Sequence, residues 1–196
     1  MLRRPRVRVG AALVAAAALV LVAWTAVGPT SAAWSNQTNL AAAATSSLWL
    51  VQITDQHGKC LDVRNRTWAD ANAVQIYTCN RTPAQKWLIM ADGTIRANGW
   101  CLAVPGSATT NGTGLQIKTC TTGASMRWVV DRSTTTAPWL RFRSALSWTP
   151  STAAGGCVLV PGGTTTDATQ VQISTCTSPN TNQDWQLTAW DWADAA

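Results

Sequence analysis

Residues 60–79 read CLDVRNRTWADANAVQIYTC, and CLAVPGSATTNGTGLQIKTC at 101–120 and CVLVPGGTTTDATQVQISTC at 157–176 align with them without a gap. The shared frame is a cysteine, an aliphatic residue, a valine three positions after the cysteine, a loop, and then aliphatic-Gln-Ile-x-Thr-Cys. An ungapped internal repeat predicts one supersecondary unit that is used three times and stacked around a common core.

The six cysteines fall into three pairs, each separated by nineteen positions. No short Cys-x-x-Cys spacing of a zinc site is present, and an even number of cysteines favours disulfides over metal thiolates in a chain whose basic and apolar N-terminal residues predict export. Six cysteines can pair in many ways, but the repeat selects pairing within each unit: Cys60 with Cys79, Cys101 with Cys120, and Cys157 with Cys176.

A tryptophan follows each pair at a nearly fixed distance: Trp87 and Trp128 eight residues after the second cysteine, Trp185 nine residues after. The first and third close a Gln-x-Trp tripeptide, whereas the middle repeat has Met126 in place of the glutamine. Repeats one and two begin forty-one residues apart and repeats two and three fifty-six, which predicts an extended loop, an insertion at 132–149.

The end of each repeat has the pattern of a strand. In residues 74–79 a period of two places Val74 and Ile76 on the core face and Gln75 and Tyr77 outside. Asp92-Gly93 between apolar stretches is a hairpin signal, and no segment after residue 47 has a convincing helical period. The sequence therefore predicts an all-β fold.

The N-terminus has the layout of a secretory signal peptide. A small-apolar run from Ala11 to Val27 ends near Ser31 and Ala33, which suit a cleavage site, and it is preceded by Arg3, Arg4, Arg6 and Arg8. We expect cleavage after Ala33 and a secreted, extracellular product. The alternative is an uncleaved membrane anchor, since the run lies near the lower limit for crossing a bilayer.

The rest of the chain divides by composition and repeat. Residues 34–47 are small, polar and uncharged, which is typical of a flexible linker. The predicted domain then covers 48–190, with repeats at about 48–90, 91–131 and 150–188, and a tail at 191–196.

Charge and side-chain chemistry exclude several functions. Without the first 33 residues the chain has eleven Lys and Arg against nine Asp, too small a surplus to predict nucleic-acid binding. The chain has no glutamate and a single histidine, His57, and no nucleophile with a base, carboxylate pair or metal cluster stands out. We expect no catalysis, no cofactor and no metal.

These motifs resemble the ricin B-chain type lectin domain, also called a family 13 carbohydrate-binding module. The resemblance covers roughly 48–188 and rests on three tandem units, each with a Cys-Leu-Asp-Val-like start, an aliphatic-Gln-aliphatic strand and a Gln-x-Trp-like close. It implies a β-trefoil with pseudo-threefold symmetry whose Gln-x-Trp tryptophans pack in the core, and it implies carbohydrate as the partner.

The acid, the aromatic residue and both glutamines of the family's sugar site carry over together only to the first repeat. The resemblance assigns carbohydrate binding to Asp62, Gln75, Tyr77 and Gln85, although Ala84 stands where the family often has asparagine. The acid and the aromatic become Ala103 and Lys118 in repeat two, and Leu159 and Ser174 in repeat three, which keeps Asn182 and Gln183.

Strand geometry independently groups Asp62 with Tyr77, because each lies two residues inside its cysteine and shares that cysteine's face. A carboxylate accepts from sugar hydroxyls, and an aromatic ring covers the C–H face of a pyranose. Trp68, in the loop of repeat one, is a further candidate wall of this pocket, while Trp139 and Trp148 in the insertion are unassigned.

Each assignment has a structural alternative. Tyr77 could simply cover its sheet, Asp62 could cap loop amides, and Trp68 could pack on its own turn. A glutamine also occupies the position of Gln75 in repeats without the acid, and Gln85 could bind backbone instead of sugar. Two function hypotheses follow: a monomeric lectin with one sugar site, or a sugar-silent trefoil that binds protein or serves as a structural module.

Overall fold

A computed structural model describes residues 49–132, 138–146 and 156–190. These residues form fourteen strands: β1 Trp49–Asp55, β2 Lys59–Val63, β3 Val74–Thr78, β4 Trp87–Ile89, β5 Ile95–Ala97, β6 Trp100–Ala103, β7 Thr113–Gly114, β8 Gln116–Thr119, β9 Trp128–Arg132, β10 Leu140–Ser144, β11 Gly156–Leu159, β12 Thr169–Gln170, β13 Gln172–Thr175 and β14 Trp185–Ala189. Their helical segments are single 3-10 turns: Arg64–Arg66, Pro83–Gln85, Pro105–Ser107, Ala124–Met126, Pro161–Gly163 and Thr181–Gln183.

The strands build a closed barrel and a cap of three hairpins. Antiparallel pairing runs from β1 to β4, from β4 to β5, from β9 to β10, from β10 to β14 and back from β14 to β1. The bridge between Thr94 and Arg127 joins β5 to β9 and completes the ring of six. The hairpins β2–β3, β6–β8 and β11–β13 form the cap. The prediction of an all-β trefoil is confirmed, and ring closure leaves the barrel without open edges.

The pseudo-threefold axis is defined by a ring of backbone hydrogen bonds. Val74, Leu115 and Val171 occupy the same place in the three repeats, and each is fully buried. The N–H of Val74 donates to the carbonyl of Leu115 at 3.0 Å, Leu115 donates to Val171 at 2.8 Å, and Val171 donates to Val74 at 3.0 Å. The three repeats therefore meet as equivalent units.

The three predicted core tryptophans lie in equivalent positions. Trp87, Trp128 and Trp185 are buried, and each indole Nε1–H donates to a strand carbonyl, at 2.9, 3.0 and 3.1 Å respectively. The acceptors are the carbonyls of the residue after the first cysteine: Leu61, Leu102 and Val158. Each tryptophan thus contributes its large apolar surface without leaving its one donor unsatisfied.

The disulfides pair as the repeat predicts. Cys60–Cys79, Cys101–Cys120 and Cys157–Cys176 each join Cα atoms 5.1 Å apart, and no free cysteine remains in the described residues. Each bridge ties the two strands of one cap hairpin together.

Side chains also connect each repeat to the next. The tenth residue after the first cysteine accepts a hydrogen bond from the threonine N–H before the second cysteine of another repeat. The N–H of Thr119 donates to Asp70 at 2.6 Å, that of Thr175 to Asn111 at 2.8 Å, and that of Thr78 to Asp167 at 2.8 Å. A loop of repeat three therefore lies beside the hairpin of repeat one.

The insertion assigned to residues 132–149 needs a correction, because it contains a strand of the fold. β10 pairs with β9 and β14 and buries Phe142 in the core. Arg141, on the other face, is buried too, and its Nε donates to the buried carboxylate of Asp184 at 3.1 Å. The sequence predicts a loop here because repeats two and three begin fifty-six residues apart and repeats one and two only forty-one, and this spacing does not show that part of the extra length is a strand.

Several predictions concern residues outside the described ranges. These are the signal peptide at 1–33, the linker at 34–47, the parts of the insertion at 133–137 and 147–149 with Trp148, the start of repeat three at 150–155, and the tail at 191–196. Within the described ranges, no helix is long and apolar enough to cross a membrane. Nor do those ranges contain a group of three His, Cys, Asp or Glu side chains suited to hold a metal ion.

Candidate functional site

The β2–β3 hairpin brings three of the four candidate residues of repeat one to one face, and the fourth, Gln85, lies in the Pro83–Gln85 turn that follows. In the antiparallel register Asp62 lies opposite Gln75, and Cys60 lies opposite Tyr77. Side chains directly across such a pair are neighbours, and those two residues apart share a face. Asp62, Gln75 and Tyr77 therefore lie together beside the Cys60–Cys79 bridge, as strand geometry predicts.

Asp62 is a buried carboxylate held by two amides. The residue is only 5% exposed. Its Oδ1 accepts a hydrogen bond from Gln75 Nε2 at 2.9 Å, and its Oδ2 accepts one from Gln85 Nε2 at 3.2 Å. A carboxylate offers about four lone-pair sites, so each oxygen can accept another hydrogen bond. Two fixed acceptor atoms suit two adjacent hydroxyl groups.

The pKa of the Asp62 carboxyl is raised above its usual value. Burial is the main cause, and the nearby charge of Asp167 acts in the same direction, whereas the hydrogen bonds from Gln75 and Gln85 and the charge of Arg66 act against it. As pH falls, Asp62 therefore takes up a proton, and loses acceptor capacity, at a higher pH than an exposed aspartate does.

Gln85 closes the loop after Cys79 and also supports Asp62. It is fully buried; its Oε1 accepts from the N–H of Asn80 at 2.8 Å, and its Nε2 donates to the carbonyl of Thr78 at 3.0 Å as well as to Asp62. Gln183 closes the corresponding loop of repeat three in the same way, with the N–H of Thr177 at 3.1 Å. Both amide hydrogens of Gln85 are already used. Gln85 therefore supports the Asp62 carboxylate and has no amide hydrogen left for a ligand.

Gln75 is buried, although the strand period places it outside. The residue is 3% exposed, because the Pro83–Gln85 turn and Arg64 cover this face of the hairpin. Its Oε1 accepts from Arg64 Nε at 2.8 Å, while its Nε2 donates to Asp62. One amide hydrogen remains for a ligand.

Tyr77 is the large hydrophobic residue that the described part of the chain leaves exposed, at 37%. An exposed ring beside a buried carboxylate can cover the C–H face of a sugar whose hydroxyls reach the carboxylate. Trp68 is only partly buried and packs against the apolar core. Ala84, where an asparagine was expected from the resemblance, is buried.

Sequence reasoning missed two residues at this site. Arg64 contacts Gln75 in repeat one, and its signal was present, because both other repeats have proline at that position, Pro105 and Pro161. Asp167 comes from repeat three, and its carboxylate accepts from Lys59 Nζ at 2.8 Å and from Thr78. The Lys59 hydrogen bond is the main reason that the pKa of Asp167 lies below its usual range. No sequence signal identified this long-range neighbour.

Repeats two and three keep the strand register of the first hairpin but lack its acid and its aromatic ring. Ala103 pairs with Gln116 and Cys101 with Lys118, while the repeat-three equivalents pair Leu159 with Gln172 and Cys157 with Ser174. Neither hairpin places a carboxylate opposite its glutamine. Of the three hairpins in the described structure, the first alone combines an acid with an aromatic ring.

A model of the ricin-type beta-trefoil lectin domain matches residues 49–147, which include all of repeats one and two. The chain belongs to this family. Beta-galactoside-specific lectin 2 from Viscum album is 44% identical over 57 residues, which are 28% of this chain and 10% of that protein. The matched part thus spans about a tenth of the length of that relative.

Solved structures agree on the fold of this ricin-type domain. The designed 3-fold symmetric protein ThreeFoil superposes with a TM-score of 0.64 at 21% identity, covering 72% of this chain and 99% of ThreeFoil. A non-toxic homologue of type II RIPs from Momordica charantia, solved with alpha-methyl-D-galactoside, gives a TM-score of 0.58 at 22% identity, covering 74% and 49% of the two chains. The domain is therefore a β-trefoil of the ricin-type lectin family.

Proposed function

We propose that this domain is a lectin without catalytic activity and that its sugar site lies in the first repeat. Asp62 and Tyr77 contact the sugar, while Gln75 and Gln85 hold the carboxylate in place. The observation that carries the proposal is the buried Asp62 carboxylate, which has one amide donor on each oxygen, next to the exposed Tyr77 ring. The carboxylate accepts from two sugar hydroxyls, and the ring packs on the pyranose face.

Galactosides are the first ligands to test. The Viscum album relative is named as a beta-galactoside-specific lectin, and the Momordica charantia structure is a complex with alpha-methyl-D-galactoside. A monosaccharide of about twelve heavy atoms, at roughly 0.3 to 0.4 kcal/mol per atom, gives a dissociation constant near millimolar. With one site per monomeric chain there is no avidity to strengthen it. Chemical-shift titration by NMR with up to about a hundred millimolar sugar covers this range.

Replacing the ring tests the proposal. Tyr77→Ala is expected to weaken sugar binding by at least tenfold, because the apolar face of the sugar loses its cover, a contact worth about 1.4 kcal/mol or more. Tyr77 is exposed and does not belong to the buried apolar core, so the melting temperature is expected to stay within a few degrees.

Lys118→Ala is the matched control, since Lys118 is exposed and faces Cys101 as Tyr77 faces Cys60. This variant is expected to bind like the wild type. Equal affinities of the Tyr77→Ala and Lys118→Ala proteins would place the sugar elsewhere.

A sugar-silent trefoil that binds protein or has a structural role is the second candidate. It is favoured by the loss of acid and aromatic in repeats two and three. A chain that retains none of a broad panel of immobilised glycans and polysaccharides would support it.

We propose that the protein is exported and that residues 1–33 are removed. The supporting observations are the arginine-flanked apolar run with its small-residue exit and the three disulfides, which require an oxidising compartment. N-terminal sequencing of the exported protein is expected to start at Trp34. An extracellular protein that still carries residues 1–33, or a chain retained in the membrane, would contradict this expectation.

A further inference from the structure

We propose that Arg64 is a positioning residue of the first-repeat site, and that it sets the orientation of the Gln75 amide. This inference rests on the proposed sugar site and adds a residue to it. Arg64 need not touch the sugar, because its effect passes through Gln75 to Asp62.

The amide of a glutamine has two ends of similar shape and opposite hydrogen-bonding character. If Gln75 were turned over, its Oε1 would face the Asp62 carboxylate, oxygen against oxygen. Arg64 prevents this, because a guanidinium has only donors and its Nε lies 2.8 Å from Oε1. The amide nitrogen is thereby directed at Asp62 Oδ1, at 2.9 Å.

Arg64 is itself fixed at a second point. Its Nη2 donates to the carbonyl of Ala168 at 2.9 Å, and Ala168 belongs to the loop of repeat three. The same loop is joined to the hairpin, since the Ala168 N–H donates to Ile76 at 3.0 Å and Asp167 accepts from Thr78. The side chain therefore spans two repeats and is ordered before any sugar arrives.

The other repeats show what happens without this arginine. Pro105 and Pro161 occupy the position of Arg64, and a proline side chain has no donor. In the described residues, neither Gln116 nor Gln172, the equivalents of Gln75, has a hydrogen bond at its side chain, whereas Gln75 has two. A complete repeat-one site thus combines Asp62, Arg64 and Tyr77.

A graft into repeat three therefore needs three substitutions. Leu159→Asp and Ser174→Tyr supply the acid and the ring, and Pro161→Arg supplies the donor for Gln172. A carbonyl is in place to anchor the new arginine: Gly112 corresponds to Ala168, and its N–H donates to Ile173 at 2.9 Å as that of Ala168 does to Ile76. Gly112 also lies beside the Gln172 amide oxygen.

The first experiment is a double-mutant cycle on the full chain, titrated with methyl galactoside. Arg64→Met is expected to weaken binding about tenfold, the size of one charge-assisted hydrogen bond. In the Gln75→Ala background the same change is expected to have no further effect, because the residue it acts through is gone. Arg64→Lys, which restores a charged donor, is expected to recover part of the loss.

Arg66→Met is the matched control. This substitution removes the same charge from the same turn. Arg66 acts on Asp62 only through its charge, and it makes no hydrogen bond among the described residues. A wild type that binds, with Arg64→Met no weaker than Arg66→Met, would overturn the inference and leave the proposed function standing. A wild type that binds no glycan at all would overturn the proposed function, and the inference with it.

The graft keeps the inference testable if Arg64→Met does not fold. The triple change in repeat three is expected to give two bound sugars per chain, and the double change without Pro161→Arg only one. A folded triple variant with one sugar per chain, or a double variant with two, would show that the arginine is not needed.

Discussion

Reduction of the three disulfides is expected to unfold the domain. Each bridge closes a loop of nineteen positions, which is worth about 3 kcal/mol of unfolding free energy, and the three together about 9 kcal/mol. Native domains have a total stability of only about 5–15 kcal/mol. Calorimetry with and without a phosphine reductant is therefore expected to show a loss of some tens of degrees in melting temperature, or no folded state at all.

Single bridges separate stability from binding. Replacing Cys60 and Cys79 by serine is expected to cost about as much stability as replacing Cys157 and Cys176, since the loops have the same length. Sugar binding is expected to fall only in the first variant, because that bridge joins the strand of Asp62 to the strand of Tyr77.

For the chain with all three bridges reduced, a melting temperature within a few degrees of the oxidised chain would show that core packing alone stabilises the fold.

The architecture could be predicted because the same sequence pattern occurs three times along the chain. Cysteine spacing, the Gln-Ile strand and the closing tryptophan recur at equivalent places, and repetition specifies both the disulfide pairing and the threefold core. The tryptophans confirm this point, since all three bond the same strand carbonyl of their own repeat.

Features that occur once were harder to predict. The sequence predicts a loop at the position of β10 because repeats two and three begin fifty-six residues apart and repeats one and two only forty-one. Only the fold reveals that this segment is a strand and that its Arg141 is paired with the buried Asp184. Gln75 was expected to face outward because a strand period reports two faces, and it cannot tell that a turn from the same repeat covers the second one.

At the site, the sequence identified the candidate residues but did not separate their roles. The resemblance assigns Asp62 and Tyr77 to the site, and their place beside the cysteines groups them independently; both signals are local in sequence. The anchoring of Arg64 at the Ala168 carbonyl and the presence of Asp167 depend on the contact between repeats one and three, across about a hundred residues of chain. The proline at the position of Arg64 in both other repeats was the visible signal, and it becomes interpretable only with the hydrogen bond in view.

Removal of the Asp62 carboxylate is expected to have the largest effect on sugar binding. Asp62→Ala is expected to abolish detectable sugar binding, because it removes both hydroxyl acceptors, each a charge-assisted hydrogen bond of about 1.5–3 kcal/mol, from a ligand bound by only about 4–5 kcal/mol. The fold accepts alanine at this position, since Ala103 occupies it in repeat two and is fully buried.

Leu159→Ala, at the same position of repeat three, is the control for a change in side-chain volume. The measurement is NMR titration of the wild type and both variants with methyl galactoside and a set of further glycans, with the melting temperature recorded for each. We expect one saturable site per chain in the wild type and in Leu159→Ala, and no shift in a folded Asp62→Ala protein. An Asp62→Ala protein that titrates like the wild type would contradict the proposed sugar site.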